Sequence, residues 1–268
     1  MYSKKKILIT GYKGDIGKIL IRKFKKEELI LYKNNKSRNH LRNIEKILFK
    51  IFKNNKIETV FHCATLFKGK RRKIENCNYY FAKILLNLSI KNKVKYFFNF
   101  DTILNKKINF YTTTKNSFFQ YLKNKKKIII FNLKIGHCYS KFDKLTKFIP
   151  EIISKIKKNK NIYLTHGNQK RYFINTFHLT AAIKKIYNNR RSYYKNFNQF
   201  YFISKNQLKL RNIVEIIKKK INKNYNKIFY GKLNYRKNEV MRFSKKNMRG
   251  KIIVLNSNFK KEINDIIN

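Results

Sequence analysis

The stretch that most constrains this chain is Lys6-Ile7-Leu8-Ile9-Thr10-Gly11-Tyr12-Lys13-Gly14-Asp15-Ile16-Gly17. Residues 6–10 read as one buried parallel strand. The segment after the glycines, with Ile16, Leu20, Ile21 and Phe24 on one face, reads as a helix. A strand that turns on glycine into a helix presents backbone N–H groups with no Cβ in front of them, which suits a pyrophosphate. The spacing Gly-x-x-Gly-x-x-Gly differs from the commoner Gly-x-Gly-x-x-Gly, and three glycines alone are a weak signal. Here they are three of only eight glycines in 268 residues, at the turn that needs them. Gly11, Gly14, Asp15, Ile16 and Gly17 are the expected dinucleotide cradle.

The alternation continues downstream. Strands are expected at 29–32, 59–63, 96–100 and 128–133, with helices at 41–54, 79–92 and 111–122. That pace implies an α/β fold, a Rossmann-like doubly wound, mostly parallel sheet. From about Phe142 the pattern changes: a helix at 145–157, a short strand at 162–164, then shorter elements at 172–187, 199–203 and 210–222. The expected division is an NAD(P)-binding domain over 1–141, to which some later strands return. Residues 142–268 form a mixed segment that includes a small substrate lobe.

Composition narrows the function less than it first suggests. Lys and Arg number 66 against 13 Asp and Glu, a formal charge of +53, which invites a nucleic-acid partner. The basic residues are spread along the whole chain rather than gathered in an arm or stripe. The Lys excess comes with abundant Asn, Ile, Phe and Tyr and with scarce Gly, Pro and Trp, as an A+T-rich genome would produce. A binder of RNA on a degenerate dehydrogenase fold therefore stands as the rival from another class, and nucleic acid as the weaker partner. Cys63, Cys77 and Cys138 lie far apart with no C-x-x-C pair, which suggests neither a disulfide framework nor a metal site. No apolar run approaches the roughly 18 residues of a membrane span, and no signal peptide is evident. A cytoplasmic protein is expected.

In many NAD enzymes an acid at the end of the second strand binds the ribose 2′-hydroxyl. Here Leu31-Tyr32-Lys33-Asn34-Asn35-Lys36-Ser37-Arg38 contains no Asp or Glu. Lys33, Lys36, Ser37 and Arg38 suit a 2′-phosphate instead, which favours NADP(H), with NAD as the alternative. Tyr111 and Lys115 stand four apart at the start of a predicted helix, on one face. A phenol exchanges its proton poorly at neutral pH, and a neighbouring ammonium stabilises the phenolate. Such a pair serves as a general acid–base at a carbonyl or carbinol oxygen while a nicotinamide exchanges hydride. A hydroxyl donor belongs at the end of the preceding strand, and Thr102 is there.

These residues together resemble the extended short-chain dehydrogenase/reductase family, also called the NAD-dependent epimerase/dehydratase family, over most of the chain. The resemblance implies roles for further positions. Val60-Phe61-His62-Cys63-Ala64-Thr65 looks like the strand and loop that pass the adenosine, with Ala64 and Thr65 at the cofactor. Asn78 falls on a structural asparagine. Thr102, Tyr111 and Lys115 fall on the catalytic Ser/Thr, Tyr and Lys. Gly167–Ile174 resembles the segment whose arginine, here Arg171, contacts the sugar-nucleotide phosphates; His137 and Arg236 complete the implied substrate contacts. Within the family the likeness is greatest to nucleotide-sugar 4-ketoreductases of the CDP-abequose synthase type, which implies NADPH-dependent reduction of a 4-keto sugar on a nucleotide. An NAD-dependent nucleotide-sugar epimerase is the alternative. Family dehydratases carry an Asp-Glu pair directly after the triad hydroxyl; Ile103-Leu104 takes that place, which disfavours a 4,6-dehydratase. Tyr172 and His178 replace family aspartates. Members often pair through two helices per subunit, so the implied assembly is a homodimer.

Overall fold

The computed structural model describes residues 5–33, 40–104 and 108–267. In chain order the elements are β1 (Lys6–Thr10), α1 (Asp15–Leu20), β2 (Leu29–Leu31), α2 (His40–Asn54), β3 (Ile57–His62), α3 (Arg71–Glu75), α4 (Phe81–Lys91), β4 (Tyr96–Thr102), α5 (Phe110–Lys123) and β5 (Ile129–Ile135). There follow β6 (His137–Tyr139), α6 (Phe148–Lys157), β7 (Ile162–Tyr163), β8 (Lys170–Arg171), β9 (Phe173–Asn175), α7 (Thr176–Asn188), β10 (Phe197–Ser204), β11 (Leu208–Lys209), α8 (Leu210–Ile221), β12 (Ile228–Phe229), β13 (Lys251–Leu255), α9 (Phe259–Glu262) and α10 (Asn264–Ile267). The expected doubly wound sheet is present, with strand order β13-β10-β5-β4-β3-β1-β2. The ladders from β5 to β2 are all parallel.

The chain divides into two compact units, residues 1–135 with 180–201, and residues 136–179 with 202–268. In the first, register sorts the side chains by face. Val60, Phe97 and Ile130 lie abreast across β3, β4 and β5 and pack with Leu48 of α2 and Leu85 of α4. The next residues along, Phe61, Phe98 and Phe131, also abreast, face the other way. Their rings pack in a row, Phe61 tilted on Phe98 at 4.5 Å and Phe98 stacked on Phe131 at 4.3 Å, and Tyr187 of α7 covers Phe61 at 5.7 Å. An aromatic ladder thus does the work that Val and Ile more often do in a parallel sheet.

Toward the carboxyl ends of the strands the first face turns polar. His62, Asn99 and Asn132 lie abreast, followed by Asp101 opposite Lys134. All but Lys134 are buried. Asn99 Nδ2 donates to Asn132 Oδ1 at 2.7 Å, Asn132 Nδ2 to Asp101 Oδ2 at 3.2 Å, and Lys134 Nζ pairs with Asp101 at 2.9 Å. Most polar groups this deep are partnered; Asn99 Oδ1 and His62 Nε2 lack a hydrogen-bond partner among the described residues.

Several boundaries differ from those expected. The first helix stops at Leu20; a 3-10 turn over Ile21–Lys23 follows, and Phe24 is extended. Phe24 still reaches the core, edge-on to Tyr187 at 5.0 Å. The helix expected at 79 begins at Arg71 and runs through a π-helical segment, Asn76–Tyr80, into α4. The helix expected from 145 begins at Phe148, so Pro150 sits in its first turn, where its missing N–H costs nothing.

The second unit has its own core, in which Ile149, Ile152, Ile153 and Ile156 of α6 pack with Ile213, Val214 and Ile217 of α8 and with Phe259 and Ile263. Glu262 fastens the chain end here, accepting from Tyr139 Oη at 2.8 Å, Asn175 Nδ2 at 2.7 Å and the Asn258 N–H at 2.7 Å. His178 Nε2 lies 3.3 Å from the same carboxylate. No helix among the described residues is long and apolar enough to cross a membrane.

Candidate active site

The three glycines of the first turn differ in why they are bare. Gly11 has φ +70, and a Cβ there would lie 2.4 Å from the Ala64 backbone nitrogen. A Cβ on buried Gly17 would lie 2.3 Å from the Gly11 oxygen. Both glycines are required by close backbone packing. Gly14 is exposed, has an ordinary φ of −77, and a Cβ on it would meet only the Gly11 oxygen, at 3.2 Å. It is the N-cap of α1, where the first N–H groups lack intrahelical partners. The turn is held by Gly14 N donating to Gly11 O at 3.0 Å and Lys18 N to Gly14 O at 2.8 Å. Asp15 and Ile16, half-buried, open the helix.

Buried His62 braces this turn from beneath. Its Nδ1 shares a hydrogen bond of 3.0 Å with Thr10 Oγ1, which also accepts from Ala64 N at 3.4 Å. Burial, then the Lys115 charge, pushes the His62 pKa down to about 3, so the ring is neutral. Lys33, after β2, is exposed; Arg38, with Lys36 and Ser37, lies outside the described residues.

Thr102, Tyr111 and Lys115 all come to the carboxyl end of β4 and the first turns of α5. The strand runs two residues beyond its expected end, so Thr102 is its last residue, opposite Ile135. Thr102 Oγ1 accepts from Leu104 N at 3.1 Å, and Thr102 N donates to Asp101 Oδ1 at 2.8 Å. Tyr111 is the second residue of a helix with a full capping box: Asn109 Oδ1 accepts from Thr112 N at 3.0 Å, and Asn109 N donates to Thr112 Oγ1 at 3.1 Å. Such a cap contributes about 1 kcal/mol and fixes the start of the helix. Lys115 is 3 % exposed, and its Nζ donates to Phe100 O at 2.5 Å. Burial lowers its pKa, and the Asp101 carboxylate opposes that shift.

Fully buried Asn78 joins the loop after β3 to α5. Its Oδ1 accepts from Leu66 N at 2.8 Å and Thr65 Oγ1 at 3.1 Å; its Nδ2 donates to Leu66 O at 3.0 Å and to Thr114 Oγ1 at 3.2 Å. Thr114 Oγ1 in turn donates to Tyr111 O at 2.8 Å. Sequence reasoning placed Asn78 but missed what it holds. Phe67, next after Leu66, has its ring 4.7 Å from that of Tyr111. It also missed Asp101 and Lys134. A charge at alternate positions of an otherwise apolar strand was the available signal, and the general abundance of lysine hid its partner.

The remaining predicted residues lie in the second unit. Arg171 is buried, with its guanidinium bonded to Val240 O at 2.5 Å, to Lys170 O at 2.8 Å and to the Glu239 carboxylate. Arg236 is exposed, one turn before Glu239, whose N–H donates to Arg236 O at 3.0 Å. His137 Nδ1 is sealed from solvent and lacks a partner among the described residues. Burial, then Arg171 and Arg236, pushes its pKa down to about 3.

No protein-family model matches the chain. Two curated proteins do. The CDP-abequose synthase of Salmonella muenchen is 29% identical over 202 residues, 69% of this chain and 67% of that protein. That of Salmonella typhimurium is 26% identical over 99% of this chain and 98% of its own. Among solved structures, MoeE5 in complex with UDP-glucose and NAD superposes with a TM-score of 0.78 at 14% identity, covering 98% of this chain and 97% of that one. At that identity the superposition shows the fold. In sequence the chain is similar to these two synthases, and its fold and motifs resemble the extended short-chain dehydrogenase/reductase family.

A dinucleotide-binding enzyme must leave room for the phosphates at such a turn. Exposed Gly14, at the N-cap of α1, alone of the three glycines owes its missing Cβ neither to a positive φ nor to a backbone clash under 3.0 Å.

Proposed function

We propose that this enzyme reduces the keto group of a 4-keto nucleotide sugar with NADPH, using Tyr111 and Lys115 as its acid–base pair. The observation that carries the reading is buried Lys115, one helical turn after Tyr111 on α5, whose Nζ donates to Phe100 O two residues before Thr102 on β4. The likeness to two CDP-abequose synthases supports a nucleotide-sugar substrate. Lys33 after β2, with no acid in that stretch, supports NADP(H).

When bound, the nicotinamide supplies the hydride. The Gly11–Gly17 turn with Asp15 and Ile16, together with Ala64, Thr65, Lys33 and Arg38, would hold the dinucleotide. Tyr111 gives its phenolic proton to the carbonyl oxygen. The Lys115 ammonium would stabilise the phenolate left behind and would hold the nicotinamide ribose. Thr102 Oγ1 accepts from Leu104 N, and its O–H, which has no acceptor among the described residues, would donate to the same carbonyl oxygen. His137, Arg171 and Arg236 would be the contacts of the substrate diphosphate, with exposed Arg236 the stronger candidate for its charge because buried Arg171 is already paired with Glu239.

The test is Tyr111→Phe, assayed with NADPH and a nucleotide-linked 4-keto-6-deoxy sugar. Turnover should fall by about a hundredfold or more, with the Kd for NADPH unchanged. Undiminished turnover overturns the assignment. NAD in the MoeE5 complex favours a second reading, an epimerase that retains NAD. The nucleotide extracted from the purified protein decides between them: tightly held NAD and no net oxidation during turnover identify the epimerase.

A further inference from the structure

A buried ammonium needs a counter-charge, because burial favours the neutral amine. Lys115 is 3 % exposed, and its Nζ has one hydrogen-bond acceptor among the described residues, Phe100 O at 2.5 Å. That oxygen belongs to the peptide group that joins Phe100 to Asp101. The faces agree as well. Phe97, Asn99 and Asp101 alternate onto one face of β4, and Phe97 packs in one cluster with Phe118 of α5. Lys115 stands three residues before Phe118, on the side of α5 that covers this face. The Asp101 carboxylate is held at both oxygens. Oδ1 accepts from Thr102 N at 2.8 Å, and Oδ2 from Lys134 Nζ at 2.9 Å and Asn132 Nδ2 at 3.2 Å.

We propose that Asp101 is a positioning residue for the Tyr111–Lys115 pair: its buried carboxylate is the counter-charge that keeps Lys115 an ammonium. The inference rests on the reading of those two residues as the acid–base pair, since only a charged Lys115 stabilises a phenolate. The other groups around Lys115 cannot take this part. His62 of β3 is a neutral ring. Cys63, after β3, and Cys77, in the π-helical segment, are thiols whose pKa burial pushes up against the pull of the Lys115 charge. Lys134 of β5 carries a like charge, with its Nζ 4.6 Å from the Phe119 ring of α5. Its side chain is 18 % exposed, so water shares that charge. Burial draws the Lys115 pKa down, the Asp101 carboxylate opposes that most, and Lys134 adds to it. Through Thr102 N the same carboxylate fixes the strand end that carries the proposed hydroxyl donor.

The experiment titrates Lys115 directly, by NMR of the protein carrying lysine isotope-labelled at Cε, with the Lys115 signal identified by its loss in Lys115→Met. In Asp101→Asn the Lys115 midpoint should fall by about one pH unit or more. Lys134→Met breaks the same ion pair but removes a like charge, so there the midpoint should rise. A bridge that served only to hold the fold would make the two variants act alike. An Asp101→Asn midpoint equal to that of the wild type overturns the proposal, and so does a Lys134→Met midpoint that does not rise. The second variant carries the test alone where Asp101→Asn does not fold. With NADPH and a nucleotide-linked 4-keto-6-deoxy sugar, the alkaline limb of kcat/KM should move with the Lys115 midpoint in both variants. A limb that stays in place while the midpoint moves overturns the part of Asp101 in the pair. Midpoints that move as expected in a protein whose wild type does not reduce that sugar uphold the counter-charge and overturn the reaction, which separates the two failures.

Discussion

Gly11, Gly14 and Gly17 are indistinguishable in the sequence and distinct in space. A Cβ at Gly11 or Gly17 collides with backbone, at 2.4 and 2.3 Å, and Gly11 also needs a positive φ. Gly17→Ala should cost upwards of about 2 kcal/mol, since backbone cannot step aside as a side chain can. Gly14→Ala should change stability by less than about 1 kcal/mol, because its φ of −77 suits alanine and the nearest atom is at 3.2 Å. It should nonetheless weaken NADPH binding by about tenfold or more, as its methyl group enters the space a phosphate needs. Thermal melts with and without NADPH check both. A Gly14→Ala variant stabilised by NADPH as fully as the wild type contradicts the cradle.

At the scale of elements, what the sequence made legible was periodicity, and what it hid was connection. The apolar runs of β1, β3, β4 and β5 and the Tyr111–Lys115 spacing on α5 could be read because strand and helix periods leave their mark in one chain segment. Phe67 could not be read as a neighbour of Tyr111, because Asn78 brings them together from a third segment. The π-helical stretch Asn76–Tyr80 was hidden for the same reason: a helix that admits an extra residue per turn shows no broken pattern in composition. The capping box at Asn109 was missed because its partner is Thr112 rather than the Glu or Gln of the usual signature. Asn78→Ala would take from both backbone groups of Leu66 and from the Thr65 hydroxyl their Asn78 partner, and from Thr114 Oγ1 the N–H it accepts. Stability should fall by about 2–4 kcal/mol, and kcat should fall more than the Kd for NADPH rises, since these bonds position Tyr111 and Phe67 rather than the glycine turn. Urea melts and a kcat comparison test this; a variant of wild-type stability would remove the clamp from the argument.

For the whole molecule, a charge of +53 leaves few carboxylates to share. Glu58 sits between Lys5 at 2.9 Å and Arg190 at 2.7 Å, Asp101 holds Lys134, and Glu239 holds Arg171. Burial pushes the Glu58 pKa up, but its two cationic partners outweigh burial and hold it below the usual value. The molecule should be sensitive to acid, and its histidines account for most of the loss near neutrality. His62 and His137, one in each unit, have pKa values of about 3 when folded, against 6.5 in an unfolded chain. Between those values the unfolded state binds more protons, so stability is complete above about pH 6.5 and declines as pH falls toward 3. For fully buried His62 the loss between pH 7 and pH 5 should be about 2 kcal/mol. Glu58 adds to the decline only at lower pH, as its carboxylate takes up a proton and releases Lys5 and Arg190. The thermal midpoint should therefore drop over pH 7 to 5, where carboxylates scarcely titrate, and His62→Gln should flatten that drop even where it lowers the midpoint at pH 7. A wild-type midpoint that stays level across this range would show that His62 accepts a proton in place, and so that Thr10 and the turn above it rest on a charged ring.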